Sequence, residues 1–230
     1  MSKYVTAAEA VQVVKSGDRV YVQAAAATPT VLTKALAERA HDLRDVEICH
    51  LHTEGEAPYA NPELATSFHV NSFFIGANVR HTLKAGNGSY TPVFLSELPL
   101  LFRKKVVLLD VVFIHVSPPD SHGYCSLGVS VEASIAAIEN AKIVIAQVNK
   151  NMPRTFGDGI LHVSEINYLV EVDVPIFAHE VTSFSAEEEK IGEYVASLID
   201  NKSTLQMGIG SIPNAALSKL KNHKDLGLHT

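Results

Sequence analysis

The chain has 230 residues, of which 47% are hydrophobic and 19% are charged, as in ordinary globular domains. Its formal net charge of −6 argues against a surface that binds nucleic acid. The longest apolar stretch, Val106 to Val116, contains Asp110 and His115 and is too short to cross a bilayer. The N-terminus carries no apolar signal-peptide segment, and the two cysteines have no paired spacing, so we expect a cytoplasmic protein.

The first 53 residues predict a helix–strand–helix–strand unit. Thr6 and Glu9 form the sequence pattern of a capping box, which begins a helix. The predicted elements are a helix over Ala7–Val14, a strand over Arg19–Ala25, a helix from Thr28 to about Asp42 and a strand over Val46–His52. In the second helix Leu32, Leu36 and Ala40 share the face that we expect to point inward.

Apolar, strand-like segments alternate with helical ones in the middle of the chain. A loop rich in turn-forming residues is predicted over Glu54–Ser67. Strands are predicted over Val70–Ile75, Val111–Val116, Ile143–Val148 and Tyr168–Val172, and helices over Ala77–Ala85, Ser130–Asn140 and Ala186–Ile199. This alternation predicts an α/β fold, with a mostly parallel sheet covered by helices on both faces.

The last segment predicts a short buried strand over Thr204–Met207, followed by a turn around Gly208 and Gly210. Ser211 and Pro213 then begin a helix. We expect the inward side chains of this helix to be Ala216, Leu217 and Leu220, and the chain to continue into a strand over Leu226–Thr230. A strand, a glycine turn and a helix N-terminus bring backbone N–H groups together, where an anion or an oxyanion can bind. A tight corner without a ligand is the alternative.

The same order of elements in residues 8–53 and 190–230 indicates an internal repeat. With an offset of 184 residues, Val20–Pro29 aligns with Thr204–Pro213. After a shorter second helix, Leu51-His-Thr53 aligns with Leu228-His-Thr230. We therefore predict two similar α/β halves, residues 1–184 and the beginning of a second domain in 185–230, with the link between them at residues 177–185.

The run Gln206-Met-Gly-Ile-Gly-Ser-Ile-Pro-Asn214, followed by Leu226-Gly-Leu-His-Thr230, resembles the acetyl-CoA hydrolase/transferase family, in particular 4-hydroxybutyrate and butyrate:acetate CoA-transferases. The resemblance covers essentially the whole chain, but only about the first half of a typical family member. It implies a CoA-transferase fold with duplicated halves. It also implies coenzyme A as a substrate rather than a permanently bound cofactor, a short-chain carboxylate as the second substrate, and a homo-oligomer that includes a C-terminal half.

The resemblance also implies where the functional residues lie. In the family the glycine turn contacts CoA, and the residue after the His-Thr pair is the catalytic glutamate. The implied CoA-binding residues are Gln206, Met207, Gly208, Ile209, Gly210 and Ser211. The nucleophilic glutamate is expected directly after Thr230, so this chain by itself is expected to be inactive. A truncated gene product, a partial sequence or self-cleavage at an activated glutamate would each explain such an end.

Two polar loops follow predicted strands and carry open alternatives. Val116–Gly128 is either a plain surface loop or a wall of the substrate site, because ligands bind beyond the carboxyl ends of strands in open α/β sheets. The family carries this motif nearly unchanged. In the loop Asn149–Gly159, Arg154 either holds a substrate carboxylate or is a solvated arginine.

Several other residues are assigned no catalytic role. Cys125 lies near His122 in sequence, but nothing shows a base placed to activate it, so we expect a structural cysteine. The scattered histidines show no spacing typical of a metal site. Glu54 is the repeat counterpart of the expected nucleophile and is interpreted as a rim or structural residue. A silent CoA-binding module and an acetyl-CoA hydrolase remain alternative functions, whereas the missing G-x-G-x-x-G pattern disfavours a dinucleotide site.

Overall fold

The computed structural model describes residues 3–178 and 183–229. The chain divides into two compact units, Met1–Ala178 and His179–Thr230. The predicted boundary after residue 184 remains a prediction, and residues 179–182 of the predicted link lie outside the described residues.

The first unit is built on an eight-stranded parallel sheet. In chain order, the strands of the unit are β1 (Lys3–Tyr4), β2 (Arg19–Val22), β3 (Val46–His50), β4 (Phe68–Ser72), β5 (Gly88–Tyr90), β6 (Leu109–Val116), β7 (Tyr124–Ser126), β8 (Ala141–Asn149), β9 (Ile160–His162) and β10 (Tyr168–Val172). The spatial order in the sheet is β1-β10-β8-β6-β2-β3-β4-β5, and every neighbouring pair is parallel. The remaining two strands, β7 and β9, form a separate antiparallel pair.

Helices cover both faces of this sheet, as the sequence predicts. They are α1 (Ala7–Ala10), α2 (Thr30–Glu38), α3 (Thr82–Ala85), α4 (Leu98–Arg103) and α5 (Ser134–Asn140), with short 3₁₀ helices at Val11–Val13, Ala40–Asp42, Pro58–Ala60, Pro62–Leu64 and Val163–Glu165. One core contains Val20 of β2 together with Leu32 and Leu36 of α2. The other contains Tyr21 of β2 and Phe102 of α4. Successive strand residues point to opposite faces, so both faces of β2 are buried.

The strand order creates a switch point at the centre of the sheet. From β2 the chain proceeds through β3 and β4 to β5 on one side, whereas β6, β8 and β10 lie on the other. The loops after β2 and β6 therefore leave neighbouring strand ends in opposite directions. Ligands in open α/β sheets bind at such a point, so the carboxyl edge near β2 and β6 is where a site is expected.

Local predictions in the first unit are largely confirmed. The capping box at Thr6 and Glu9 is present, and Leu32, Leu36 and Ala40 are buried. The predicted loop Val116–Gly128 contains strand β7, which the sequence analysis missed, as it missed β1, β5 and β9. These strands are two or three residues long, too short to show an alternating pattern.

The second unit contains a helix–strand–helix–strand arrangement. Its elements are α6 (Ala186–Ser197), β11 (Thr204–Leu205), α7 (Ser211–Ser218) and β12 (Gly227–Leu228), and the two strands are parallel. Gly192 of α6 packs closely on α7, because a Cβ there would lie 2.8 Å from the carbonyl carbon of Ala215. Only a residue without a side chain allows the helices this approach.

Two predictions for this unit are wrong. The strand predicted as buried over Thr204–Met207 has only two residues, with Thr204 exposed and Leu205 half-buried, because the sheet has two strands in the described chain. Leu217 is 42% exposed, although it was predicted to face inward with Ala216 and Leu220, which are buried. The contact of α7 with Gly192 is centred on Ala215 and turns Leu217 outward.

The order of elements in the second unit is the one that the predicted internal repeat requires, whereas the strand register does not follow the residue-by-residue match. Tyr21 pairs with Cys49 in the first unit, so the sequence match would pair Leu205 with Leu226. Instead, Leu205 pairs with Leu228. This shift of two residues keeps the same side chains on the same face. Thr230, the last residue of the match, lies outside the described residues.

Candidate functional site

A layer of buried polar side chains crosses the sheet at the switch point. Gln23 follows β2, His115 is in β6, and Gln147 is the register partner of His115 in β8. The side-chain oxygen Oε1 of Gln23 accepts the backbone N–H of His115 at 2.6 Å. The side-chain oxygen Oε1 of Gln147 accepts the backbone N–H of Val31 at 3.0 Å. Val31 lies in the first turn of α2, which has no side-chain cap.

His115 is neutral in this layer. Its Nε2 lies 3.3 Å from the side-chain amide nitrogen of Gln147. Because an amide nitrogen can only donate, His115 Nε2 is assigned as the acceptor and His115 Nδ1 as the protonated nitrogen. Burial lowers the pKa of His115 to about 4, although the nearby backbone of Thr28 and Ala27 acts in the opposite direction. Around neutral pH this ring therefore supplies no positive charge to the carboxyl edge.

The loops after β2 and β3 are joined by a backbone hydrogen bond and by the side chain of Thr28. Ala25 has a left-handed conformation, with φ of 53°, which is uncommon for a residue with a side chain. Its N–H donates to the carbonyl oxygen of His52 at 2.8 Å. The Thr28 hydroxyl donates to the Ala25 carbonyl oxygen at 2.7 Å and accepts the N–H of Glu54 at 3.0 Å. Residues 25–28 and 52–54 thus form one rigid part of the carboxyl edge.

Arg154 connects the two polar loops that the sequence analysis singled out. Its guanidinium donates to the Asp120 carboxylate at 2.9 Å and to the carbonyl oxygen of Tyr124 at 3.0 Å. Hydrogen bonds from the backbone of Tyr124 and His122 and the charge of Arg154 lower the pKa of Asp120. Arg154 is therefore neither a free ligand for a substrate carboxylate nor a purely solvated arginine, because its guanidinium is paired with Asp120.

Cys125 is fully buried, and burial raises the pKa of its thiol to about 11. The reactive form of cysteine is the thiolate, so this agrees with the expected structural role. Within residues 3–178 and 183–229, no group of His, Cys, Asp and Glu side chains is arranged to hold a metal ion. Over the same ranges, no helix is both long and apolar enough to span a membrane.

The second unit places the six predicted CoA-binding residues on the turn that leads into α7, of which Ser211 is the first residue. Gln206, Gly208, Ile209, Gly210 and Ser211 are exposed, and Met207 is half-buried. A Cβ on Gly208 would meet nothing within 4 Å, and Gly210 has φ of 131°, which favours glycine. Because Gly210 is the N-cap, it has no side chain to cap the first turn of α7. The backbone of this turn is open to a ligand.

A carboxylate that the sequence analysis missed lies beside this turn. Hydrogen bonds from the Ser211 side chain and the Ser185 backbone lower the pKa of Glu188. The Ser211 hydroxyl therefore already has a partner, and the backbone N–H groups of residues 208–210, which donate to no other described group, are the donors left for a ligand. Ser185 and Glu188 show the spacing of a capping box, and this spacing in the sequence would have identified the carboxylate.

The comparison with known families follows this geometry. Residues 1–178 match the model described as the acetyl-CoA hydrolase/transferase N-terminal domain, and the first compact unit ends at the same residue. The chain belongs to the acetyl-CoA hydrolase/transferase family. The resemblance inferred from Gln206–Asn214 and Leu226–Thr230 is thereby confirmed.

Relatives in the acetyl-CoA hydrolase/transferase family match nearly the whole chain. The succinyl-CoA:acetate/propanoyl-CoA:succinate CoA transferase of Fasciola hepatica is 45% identical over 219 residues, which are 94% of this chain and 45% of that protein. The 4-hydroxybutyrate coenzyme A transferase of Clostridium kluyveri is 42% identical over 228 residues, 99% of this chain and 53% of that protein. This chain spans about half the length of these curated relatives.

A solved structure supports the same conclusion for the fold. RipA from Yersinia pestis matches with a TM-score of 0.91 at 33% identity, over 99% of this chain and 56% of RipA. The predicted fold class, a mostly parallel sheet with helices on both faces, is confirmed by this likeness and by the strand order.

Proposed function

We propose that this chain is the N-terminal half of a CoA-transferase that moves CoA between a short-chain acyl-CoA and a carboxylic acid such as acetate. The observation that carries the proposal is the 42% identity to 4-hydroxybutyrate coenzyme A transferase over 99% of the chain. 4-Hydroxybutyryl, butyryl and acetyl groups are the proposed acyl groups. The C-terminal half of the protein and further copies of the chain are the proposed partners.

The proposed chemistry uses a glutamate that follows the Leu228-His229-Thr230 motif in the complete protein. One of its carboxylate oxygens attacks the thioester carbonyl and the C–S bond breaks, which leaves a mixed anhydride and CoA thiolate. The thiolate then attacks the glutamyl carbonyl, releases the first acid as a carboxylate and forms a glutamyl-CoA thioester. The acceptor acid reverses these steps and leaves with CoA.

Each unit carries its own candidate binding surface for this chemistry. In the second unit, the exposed backbone of residues 206–211 binds CoA, because Gly208 and Gly210 allow close approach and the α7 N-terminus presents N–H donors. In the first unit, the joined loops after β2 and β3 and the loop after β6 form the wall on the acid side. The neutral His115 beneath them leaves the charge of the acid to be bound by groups other than this ring.

Acetyl-CoA hydrolysis is the second candidate, because the matching family model is described as hydrolase/transferase. The two activities differ in the acceptor, water or a carboxylate. Release of free CoA from acetyl-CoA in the absence of any added acid would favour the hydrolase. CoA binding without turnover, in a chain that contains the glutamate, would favour a silent binding module.

A chimera tests the proposal. Residues 1–230 are joined to the part of the Clostridium kluyveri enzyme beyond the matched region, and this protein is called the chimeric transferase. Butyryl-CoA and acetate should give acetyl-CoA with ping-pong kinetics, and intact-mass analysis after incubation with butyryl-CoA should find a covalent CoA adduct. The control carries alanine in place of the glutamate after the Leu-His-Thr motif, and it should lose both signals. Residues 1–230 alone should give no turnover.

The proposal fails if the chimeric transferase is folded, as judged by circular dichroism and size-exclusion chromatography, but transfers no CoA. Turnover that persists in the alanine control would instead contradict the glutamyl intermediate.

A further inference from the structure

Glu132 accepts hydrogen bonds from four donors, two on neighbouring residues and two at the distant end of β2. One carboxylate oxygen, Oε1, accepts from the Tyr21 hydroxyl at 2.8 Å, the Ala24 backbone N–H at 3.2 Å and the Ser134 hydroxyl at 2.8 Å. The other, Oε2, accepts from the Ser130 hydroxyl at 2.9 Å. Tyr21, Ala24 and Ser134 are fully buried and Glu132 is half-buried, so three of the four donors reach the carboxylate from inside the unit.

The side chain of Gln23, the residue before Ala24, is hydrogen-bonded to the segment that contains Glu132. Its amide nitrogen donates to the carbonyl oxygens of Leu127 and Ser130, at 3.3 and 2.6 Å. The carboxyl end of β2 is therefore attached to residues 127–134 both through the Gln23 side chain and through the Glu132 carboxylate.

Glu132 thereby acts on the part of the carboxyl edge that the two loops form. Ala24, which it holds, directly precedes Ala25 with its left-handed backbone. Ala25 in turn donates its N–H to His52, and Thr28 connects Ala25 to the backbone of Glu54. A backbone conformation that costs energy persists only where its surroundings enforce it, and the bond from Glu132 to Ala24 is adjacent to that conformation.

We propose that Glu132 is a positioning residue for the carboxyl edge, which holds the Ala24 N–H and so maintains the Ala25 conformation and the joined loops after β2 and β3. Its catalytic consequence rests on the proposed function, in which these loops form the acid-side wall. Its structural consequence does not depend on any activity.

The arrangement of the donors separates position from charge. In Glu132→Gln, the amide oxygen can take the place of Oε1 and keep all three of its donors, while the amide nitrogen donates to a rotated Ser130 hydroxyl. In Glu132→Asp, the charge is retained but the carboxylate is shorter by one methylene and no longer reaches Ala24. A positioning role therefore predicts that the glutamine variant is better than the aspartate variant, and a role for the charge predicts the reverse.

Amide hydrogen exchange of the 230-residue chain, followed by NMR, tests the structural consequence. We expect the Ala24 and Ala25 amides to exchange at least about 10-fold faster in Glu132→Asp and Glu132→Ala, because about one hydrogen bond is lost. In Glu132→Gln the change should stay within about threefold. The matched control is Glu139→Ala, which removes a half-exposed ion pair between Glu139 of α5 and Arg103 of α4 and should leave these amides unchanged.

The same variants in the chimeric transferase test the catalytic consequence. Displacement of a site wall by about 1 Å can cost about 100-fold in rate, so Glu132→Asp should lower kcat/KM for acetate by about 10- to 100-fold. Glu132→Gln should restore it to within about threefold of the unaltered chimera. If the unaltered chimera is inactive, the proposed function fails, while the exchange data still decide the role of Glu132.

Equal exchange of Ala24 in all variants would overturn the proposal, as would a glutamine variant that is as impaired as the aspartate variant. If Glu132→Ala does not fold, the comparison of glutamine with aspartate still decides between the two roles.

Discussion

Acid should destabilise the first unit through His50 and His115. Both rings are buried, and desolvation lowers the pKa of each to about 4, whereas the pKa in the unfolded chain is about 6.5. Below pH 6.5 the unfolded state therefore binds protons that the folded state excludes. The free energy of unfolding that depends on these two neutral rings is fully present above pH 6.5 and is lost as the pH falls from 6.5 towards 4.

The size of the effect follows from these values. At pH 5 the difference in proton binding favours the unfolded state by about 2 kcal/mol for each ring, and hence by about 4 kcal/mol for both. This is a large fraction of the total stability of a typical domain, about 5–15 kcal/mol. At pH 7.5 the same calculation gives almost nothing.

His50→Leu isolates one of the two contributions. Neither nitrogen of the His50 ring has a well-formed hydrogen bond in the described chain, and the ring packs edge-on to Tyr59 at 6.0 Å between centroids. An apolar side chain of similar volume should therefore be tolerated at pH 7.5. Between pH 7.5 and pH 5.0, the free energy of unfolding of the variant should therefore rise by about 2 kcal/mol relative to that of the unaltered chain.

Urea unfolding, followed by far-UV circular dichroism, measures the free energy of unfolding of the variant and of the unaltered chain at both pH values. The control is His41→Gln, which removes a histidine whose side chain is 76% exposed instead of buried. If His50→Leu shifts stability equally at pH 7.5 and 5.0, the reasoning from burial is refuted.

Two further predictions concern the loops. In the chimeric transferase, Gly208→Val should raise KM for butyryl-CoA by about 10-fold or more with its fold intact, because the added Cβ meets nothing within 4 Å in the chain and the side chain obstructs a ligand. The control Gly208→Ala adds only that Cβ and should raise KM less. An unchanged KM in Gly208→Val would contradict the CoA assignment. Arg154→Met should cost about 0.5–1 kcal/mol in urea unfolding, since the ion pair with Asp120 is partly exposed, and should leave KM for acetate within about twofold. A rise in KM for acetate without loss of stability would instead return Arg154 to the role of substrate ligand.

The sequence by itself determined the elements whose signals are local. The capping box at Thr6 and Glu9 and the inward face of α2 depend on residues three or four apart, so they can be recognised without knowing what they pack against. The alternation of apolar strands with helices determined the parallel α/β fold in the same way. The resemblance to the family rested on two short motifs near Gly208 and His229.

Only the tertiary structure decided which distant residues meet. Tyr21 and Glu132 are 111 residues apart and Arg154 and Asp120 are 34 residues apart, and no local pattern encodes such pairs. The shortest strands form because a neighbouring strand offers hydrogen bonds, not because their own two or three residues favour extension. Burial of α7 likewise depends on where Gly192 contacts it, which is why periodicity misplaced Leu217. The carboxyl edge was recognisable from the sequence as loops after strands, but its polar layer depends on strand order, since that order alone brings Gln23, His115 and Gln147 side by side.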